Sequence, residues 1–280
     1  MADQDPLPSW LRTELEKCAQ GEPRLPVLPD VACRVMNACQ DARSDLRELE
    51  RLVLHDQALA AHVLRVANSV AYAPKATIVS LRQAIGRLGL STVSDVALAL
   101  ALKQRVFSVP GHESRTKDLW RHSAATAGYA RAVAQLLQRN MESAFLSGLL
   151  HDVGMPLVMQ AASDLARERK VTLTPVEMEA AMDQFHGVFG ARLAERWRLG
   201  PWVGVAILHH HDPSAARMLQ DDVLVITLAD ALATWALDES QDDTTFAAQP
   251  GSSAAILGEE QLIALLGQRR SMVALASAFQ

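Results

Sequence analysis

An all-α fold of two helical lobes is what this sequence predicts, on three observations. Apolar residues recur at helical spacing almost throughout, and alternating Val/Ile/Thr-rich strands with hairpin turns are missing. A polar stretch with Pro and Gly, SVPGHESRTKD at 108–118, separates two apolar halves. With 49% of its 280 residues hydrophobic, the chain has ample material for a packed core.

The elements follow in order. Residues 7–20 read as an N-terminal helix, and GEPRLPVLPD after it as a proline-rich extended connection. A second helix is expected from Pro29 to Ala42. Asp45 is the expected cap of a third, with Glu48 three residues on and Leu46, Leu49, Leu52 and Val53 on one face. ALAAHVLRVANS is a short helix that ends near Asn68 and Ser69; the expected role of these two is termination, Asn by tolerating left-handed backbone angles and Ser by capping the next turn. Ser80 and Gln83 read as a capping box, Gly89 as the terminator of LRQAIGRL, and Ser91 to Phe107 as a further helix. Helices are then expected at 119–138, 142–153, 155–167, 175–198, 201–210 and 220–236. The acidic segment LDESQDDTT interrupts the chain before a last amphipathic helix at 259–278. The domain reading is therefore an N-terminal helix at 1–23, a helical lobe at 24–107, a connection at 108–118, a second lobe at 119–236, and an acidic linker with a C-terminal helix at 237–280. No repeat of solenoid period is present.

Composition narrows the function. A net charge of -5 argues against a sequence-independent grip on nucleic acid, which needs a basic face. The helix VSDVALALALKQRVF follows a glycine turn, as a recognition helix would, but lacks the polar and basic face of one. No direct nucleic-acid binding is expected. No apolar run approaches the roughly 20 residues that span a bilayer; Val96 to Leu102 is bounded by Asp95 and Lys103. The N-terminus begins with acidic and proline residues rather than a basic then apolar leader, so a cytoplasmic protein without membrane contact is expected. Cys18, Cys33 and Cys39 are odd in number and lack CxxC spacing, which predicts reduced packing residues. Trp120, Trp197 and Trp202 are expected in the core or between the lobes.

The chemistry-bearing residues lie in the second half. His122, His151, His186, His209 and His210 each stand beside an apolar helical run, and Asp230 interrupts another in VLVITLADALA. Burying so many polar groups separately demands a partner for each, whereas one metal cluster satisfies them together. Neutral imidazole and carboxylate without thiolate suit a divalent metal, Fe, Mn, Ni, Zn or Mg. His211 is a second choice, and His55, His62 and His112 read as solvated or structural.

His122, the doublet His151 and Asp152, and Asp230 match in order the H, HD, D pattern of the HD superfamily of metal-dependent phosphohydrolases. LPVLPDVACRVM, HDQALAAHVLRVANSVAY and IVSLRQAIGRLGL resemble the blocks of HDOD proteins, the HD-related output domain, whose hallmark Asn-Ser falls at Asn68 and Ser69. FHGVFGARLAERWRLGPWVGVAILHHH is similar to the second-half block, and the resemblance covers roughly residues 24–236. It implies a two-lobed helical regulatory output of bacterial signalling, for which no enzymatic activity is established. The metal set it leaves for test is His122, His151, Asp152, His186, His209, His210 and Asp230. Other signalling proteins are the implied partners, with a nucleotide as a further ligand. The open alternative is a phosphohydrolase acting on nucleotides or cyclic nucleotides. Against cyclic dinucleotide hydrolysis stand Met155, where HD-GYP phosphodiesterases carry lysine, and the missing Gly-Tyr-Pro loop.

Overall fold

The computed structural model describes residues 6–21, 25–27, 30–40, 46–69, 72, 77–241, 246 and 256–279. Among these the fold is all-α, with no strand. The helices are α1 (Ser9–Gln20), α2 (Asp30–Gln40), α3 (Leu46–Leu54), α4 (Gln57–Ala67), α5 (Leu81–Arg105), α6 (Glu113–Leu136) and α7 (Met141–Leu150). There follow α8 (Gly154–Arg169), α9 (Pro175–Arg196), α10 (Pro201–His209), a 3-10 turn at Pro213–Leu219, α11 (Gln220–Leu237), α12 (Glu259–Leu266) and α13 (Arg269–Ala278). The expected cap Asp45, the side chain of Cys39 and residues 242–245 of the acidic segment lie outside the described residues. Cys18 and Cys33 are free thiols of intermediate burial.

Helices α2, α3 and α4 gather on α5; α6 lies along α7 and α11; α8 packs on α9, and α10 on α9 and α7. Buried apolar side chains run through all of these as one continuous cluster. α1 packs on α8 and α9. α13 lies on α6 and reaches α4. Its seat is Gly128, where a Cβ would come within 2.7 Å of Met272 and 2.9 Å of Leu275. The carbonyl of Phe279, just beyond α13, accepts from His62 Nε2 on α4 at 3.1 Å and from Trp120 Nε1 on α6 at 3.0 Å.

Several local expectations need correction. Gly89 does break the helix, with φ of +79°, but ψ of 165° is not the left-handed cap conformation, and the helical chain resumes at once. Ser80 begins α5, yet its hydroxyl makes no capping bond. The chain leading into α5 is held instead by Asn68. Its Oδ1 accepts from Ile78 N–H at 2.8 Å, while its Nδ2 donates to the carbonyls of Ile78 at 2.8 Å and Leu64 at 2.9 Å. Its backbone is right-handed, at φ -94° and ψ -1°, so its side chain rather than a left-handed turn gives it its role. The cap of α4 is Asp56, which accepts from Leu59 N–H at 3.0 Å.

α6 starts at Glu113 rather than 119, because polar, exposed residues form its first turn and the Glu113 carboxylate accepts from Gly111 N–H at 2.9 Å. The single C-terminal helix expected is two, turned at Gly267 and Gln268. α5 has the length and mean hydropathy, 1.5 over its best window, to cross a bilayer; it is kinked and that window is 61% buried, as in a core helix. Trp120 is buried and Trp197 is half-buried, donating to the Pro26 carbonyl at 2.9 Å, but Trp202 is 42% exposed.

Candidate metal centre

GLLHDVG, residues 148–154, ends α7 and begins α8, and its two glycines let neighbouring helices close in. At Gly148 a Cβ would lie 3.0 Å from the backbone of α6. At Gly154 it would lie 1.8 Å from the His186 carbonyl oxygen, so only glycine lets the start of α8 press against α9 beside the site. Asp152 and His151 sit in the tight turn between these contacts, buried with 6% and 0% exposure.

Three imidazoles are fixed alike. Each donates Nδ1–H to a carbonyl on its own helix or helix end: His151 to Gly148 at 2.8 Å, His186 to Met182 at 2.9 Å, His210 to Ile207 at 2.9 Å. That bond sets the tautomer and leaves Nε2 as a lone-pair donor. All three Nε2 atoms face Asp152, at 3.2 Å from His151, 3.8 Å from His186 and 3.4 Å from His210. None of these Nε2 atoms, nor Asp152 Oδ1, has a hydrogen-bond partner, and all are buried. Lone pairs aimed at a carboxylate oxygen repel unless a proton or a metal cation stands among them. The residues therefore fit a divalent metal, for which N and O donors without thiolate are suitable.

His122 on α6 closes a second side. Its Nε2 donates to Asp230 Oδ1 at 2.9 Å, and Asp230 also lies 3.8 Å from His151 Nε2. One turn before Asp230, the Thr227 hydroxyl donates to the His210 carbonyl at 2.7 Å and so fixes the end of α10 against α11. Two ligand groupings result, His122 with His151 and Asp152, and Asp152 with His186, His210 and His211, and Asp152 is common to both.

Without a metal, a proton on an imidazole takes the cation's place beside Asp152. Burial opposes ionisation of Asp152, but the His151 and His210 rings outweigh it and hold the carboxyl well below the usual carboxylate range. Burial pushes His151 down, yet Asp152 and Asp230 lift it to about 9, so the pocket attracts positive charge. Burial resists ionisation of Asp230 too, and its bond from His122 and the nearby His151 overcome it. His186 goes the other way: burial lowers it despite Asp152.

The structure brings together His122, His151, Asp152, His186, His210 and Asp230. It leaves out His209 and brings in His211. Consecutive helical residues point about 100° apart, so His209 and His210 cannot share a face at the end of α10. Past that end the chain turns, and the exposed His211 sets its ring centroid 4.0 Å from that of His210, tilted to it, and 5.2 Å from that of His186, edge-on. The helical angle was available from sequence; the turn that redirects His211 was not. The histidines set aside do lie elsewhere: His55 bonds the Arg51 carbonyl, His112 lies 3.1 Å from the Ser163 hydroxyl, and His62 bonds Phe279. Met155 is packed against the core, so no cation stands at that position.

An all-helical fold carrying an H, HD, D cluster with a buried HD doublet defines an HD-type helical protein. The HDOD domain family model matches residues 25–213, and the chain belongs to that family. Among solved structures, a Shewanella amazonensis SB2B protein provisionally described as a metal-dependent phosphohydrolase superposes with a TM-score of 0.71 at 20% identity, over 97% of this chain and 98% of its own. An HDOD domain protein with unknown function from Geobacter sulfurreducens gives 0.68 at 26% identity, over 95% and 96%. An uncharacterized protein of Treponema pallidum (strain Nichols) is 24% identical over 202 residues, 68% of this chain, and this match spans 38% of that relative's length.

Proposed function

We propose that this chain is a regulatory protein of bacterial-type signal transduction, acting in the cytoplasm by binding protein or ligand partners, with a divalent metal held in its HD site. One observation carries the metal: three buried imidazole Nε2 atoms and Asp152 Oδ1 converge with no hydrogen-bond partner among them. His151, Asp152, His186 and His210 would hold the ion, with His211 at the exposed edge and His122 and Asp230 on the other side. The preponderance of imidazole favours Fe, Mn, Ni or Zn over the harder Mg. The regulatory reading draws support from family membership and from Met155, which supplies no charge for a substrate phosphate.

A second reading, a metal-dependent phosphohydrolase of nucleotides, is favoured by the exposed edge at His211, where a ligand could approach. A bound divalent ion supplies Lewis acidity and lowers the pKa of water. The chain's own part would be to fix the donors and exclude other water, through the glycine contacts and Nδ1 bonds described above. The deciding experiment is metal analysis of protein purified without chelator, with hydrolysis assays over nucleotides and cyclic dinucleotides. Stoichiometric metal lost in Asp152→Ala, with no turnover, is expected. Metal-dependent turnover abolished by Asp152→Ala would install the second reading, and metal-free protein that refuses Mn, Fe, Ni and Zn would defeat both.

A further inference from the structure

Between α5 on one side and α7, α10 and α11 on the other lies a cavity of about 670 Å³, and no member of the metal cluster lines it. Its walls include Leu90, Leu98, Leu146 and Ile226, and its polar character is acidic. Asp95 on α5 lines it and is buried, at 9% exposure. Arg131 of α6 bonds Asp95, bonds the Thr92 hydroxyl at 3.2 Å, and lies 4.5 Å over the Phe145 ring. At the rim, Arg139 is taken by Asp221 at 2.7 Å and Asp222 at 2.8 Å. Both guanidiniums are therefore already paired.

Glu142, exposed in the first turn of α7, also lines the cavity and has no ion-pair partner among the described residues. It is near enough to oppose the ionisation of Asp95, whose carboxyl burial pushes up to about 7 against the pull of Arg131. One carboxylate thus has solvent but no cationic partner, beside another that is poorly solvated. Trp202, 42% exposed, adds an indole to the lining. A carboxylate with an aromatic face attracts a cation, and a volume of this size suits a small molecule. An anion would meet acid and, among the described residues that line the cavity, no cation free of an ion pair.

We propose that this cavity binds a small organic cation, an amine with an apolar body. Its ammonium group lies between Glu142 and Asp95, and its body rests on the Leu and Ile walls and Trp202. Because α5 belongs to the first group of helices and α7, α10 and α11 to the second, the ligand touches both. The inference stands apart from the metal reading.

The test is calorimetric titration of the full chain with phenethylamine and with phenethyl alcohol, its uncharged counterpart. Saturable one-to-one binding of the amine is expected, weaker by at least about tenfold for the alcohol, since the charge-assisted contact is lost. Glu142→Gln, an exposed change that spares the fold, should weaken amine binding by about tenfold, and Trp202→Ala should also weaken it. Equal binding of alcohol and amine, no amine binding at millimolar concentration, or an unaltered Glu142→Gln would each overturn the proposal.

Discussion

Asn68 and the histidine cluster are equally conspicuous in sequence, but their hydrogen bonds are arranged in opposite ways. Asn68 spends its side-chain amide on three bonds to Ile78 and Leu64, all within its own chain. His151, His186 and His210 each tie one nitrogen to the backbone and leave the other, buried, facing Asp152. A polar group answered internally holds a fold, whereas a buried group left unanswered calls for something from outside. Asn68 is accordingly a clamp that joins α4 to the entry of α5, and the histidines form a cluster whose free donors fit a cation.

The harshest way to break the contrast is Gly154→Ala. The new methyl would meet the His186 carbonyl at 1.8 Å, so α8 or α9 must move. A loss of about 4 kcal/mol in denaturant unfolding is expected, together with loss of bound metal. A mild effect would mean that α8 and α9 can part at little cost. Next comes Asp152→Ala, which removes the carboxylate common to both ligand groupings. Metal affinity should fall at least about a hundredfold, or about 2.7 kcal/mol, read by competition with a chelator. Added metal should raise the melting temperature of the native chain and not that of the variant.

Asn68→Ala should do the reverse. It is expected to cost about 2 kcal/mol of stability by stranding part-buried backbone groups, with metal content unchanged. Metal lost on Asn68→Ala, or retained on Asp152→Ala, would collapse the distinction.

A gentler probe is pH. The Asp95 carboxyl, flanked by Arg131 and Glu142, has its pKa raised from 3.8 to about 7, chiefly by burial. A carboxyl raised on folding favours the native state below the unfolded pKa and loses that contribution as pH climbs through the folded one. The stability of the native chain relative to Asp95→Asn should therefore decline between pH 3.8 and about 7, with a slope no steeper than about 1.4 kcal/mol per pH unit. A flat difference would show that Arg131 keeps the acid fully ionised. Smallest of all, His209→Ala should leave metal affinity within about twofold, while His211→Ala, at the exposed edge, should lower it modestly. Chelator competition at fixed pH ranks the two.

Much of this was legible in the chain before it folded. Helical periodicity located nearly every element, and the H, HD, D order brought His122, His151, Asp152 and Asp230 together across more than a hundred residues. What periodicity misses is short-range and polar. The first turn of α6 carries no apolar stripe, so Glu113 to Asp118 reads as linker. Ser80 has the residue type and spacing of a cap, but its hydroxyl makes no capping bond, while Asn68 secures the neighbouring chain from ten residues away. His211 enters the site through a turn whose geometry no spacing rule encodes. Trp202 reads as core because it is aromatic, yet it stands open beside a cavity.

The shared carbonyl of Phe279 bears on where this molecule can be cut. The stretch that matches the family model stops at residue 213, short of Asp230 and of the last helix. A fragment trimmed to that stretch would leave His122 without its carboxylate, and His62 and Trp120 without their common acceptor. The segment by which the chain is recognised is therefore shorter than the set of residues that hold one another in place, which reaches at least to Phe279.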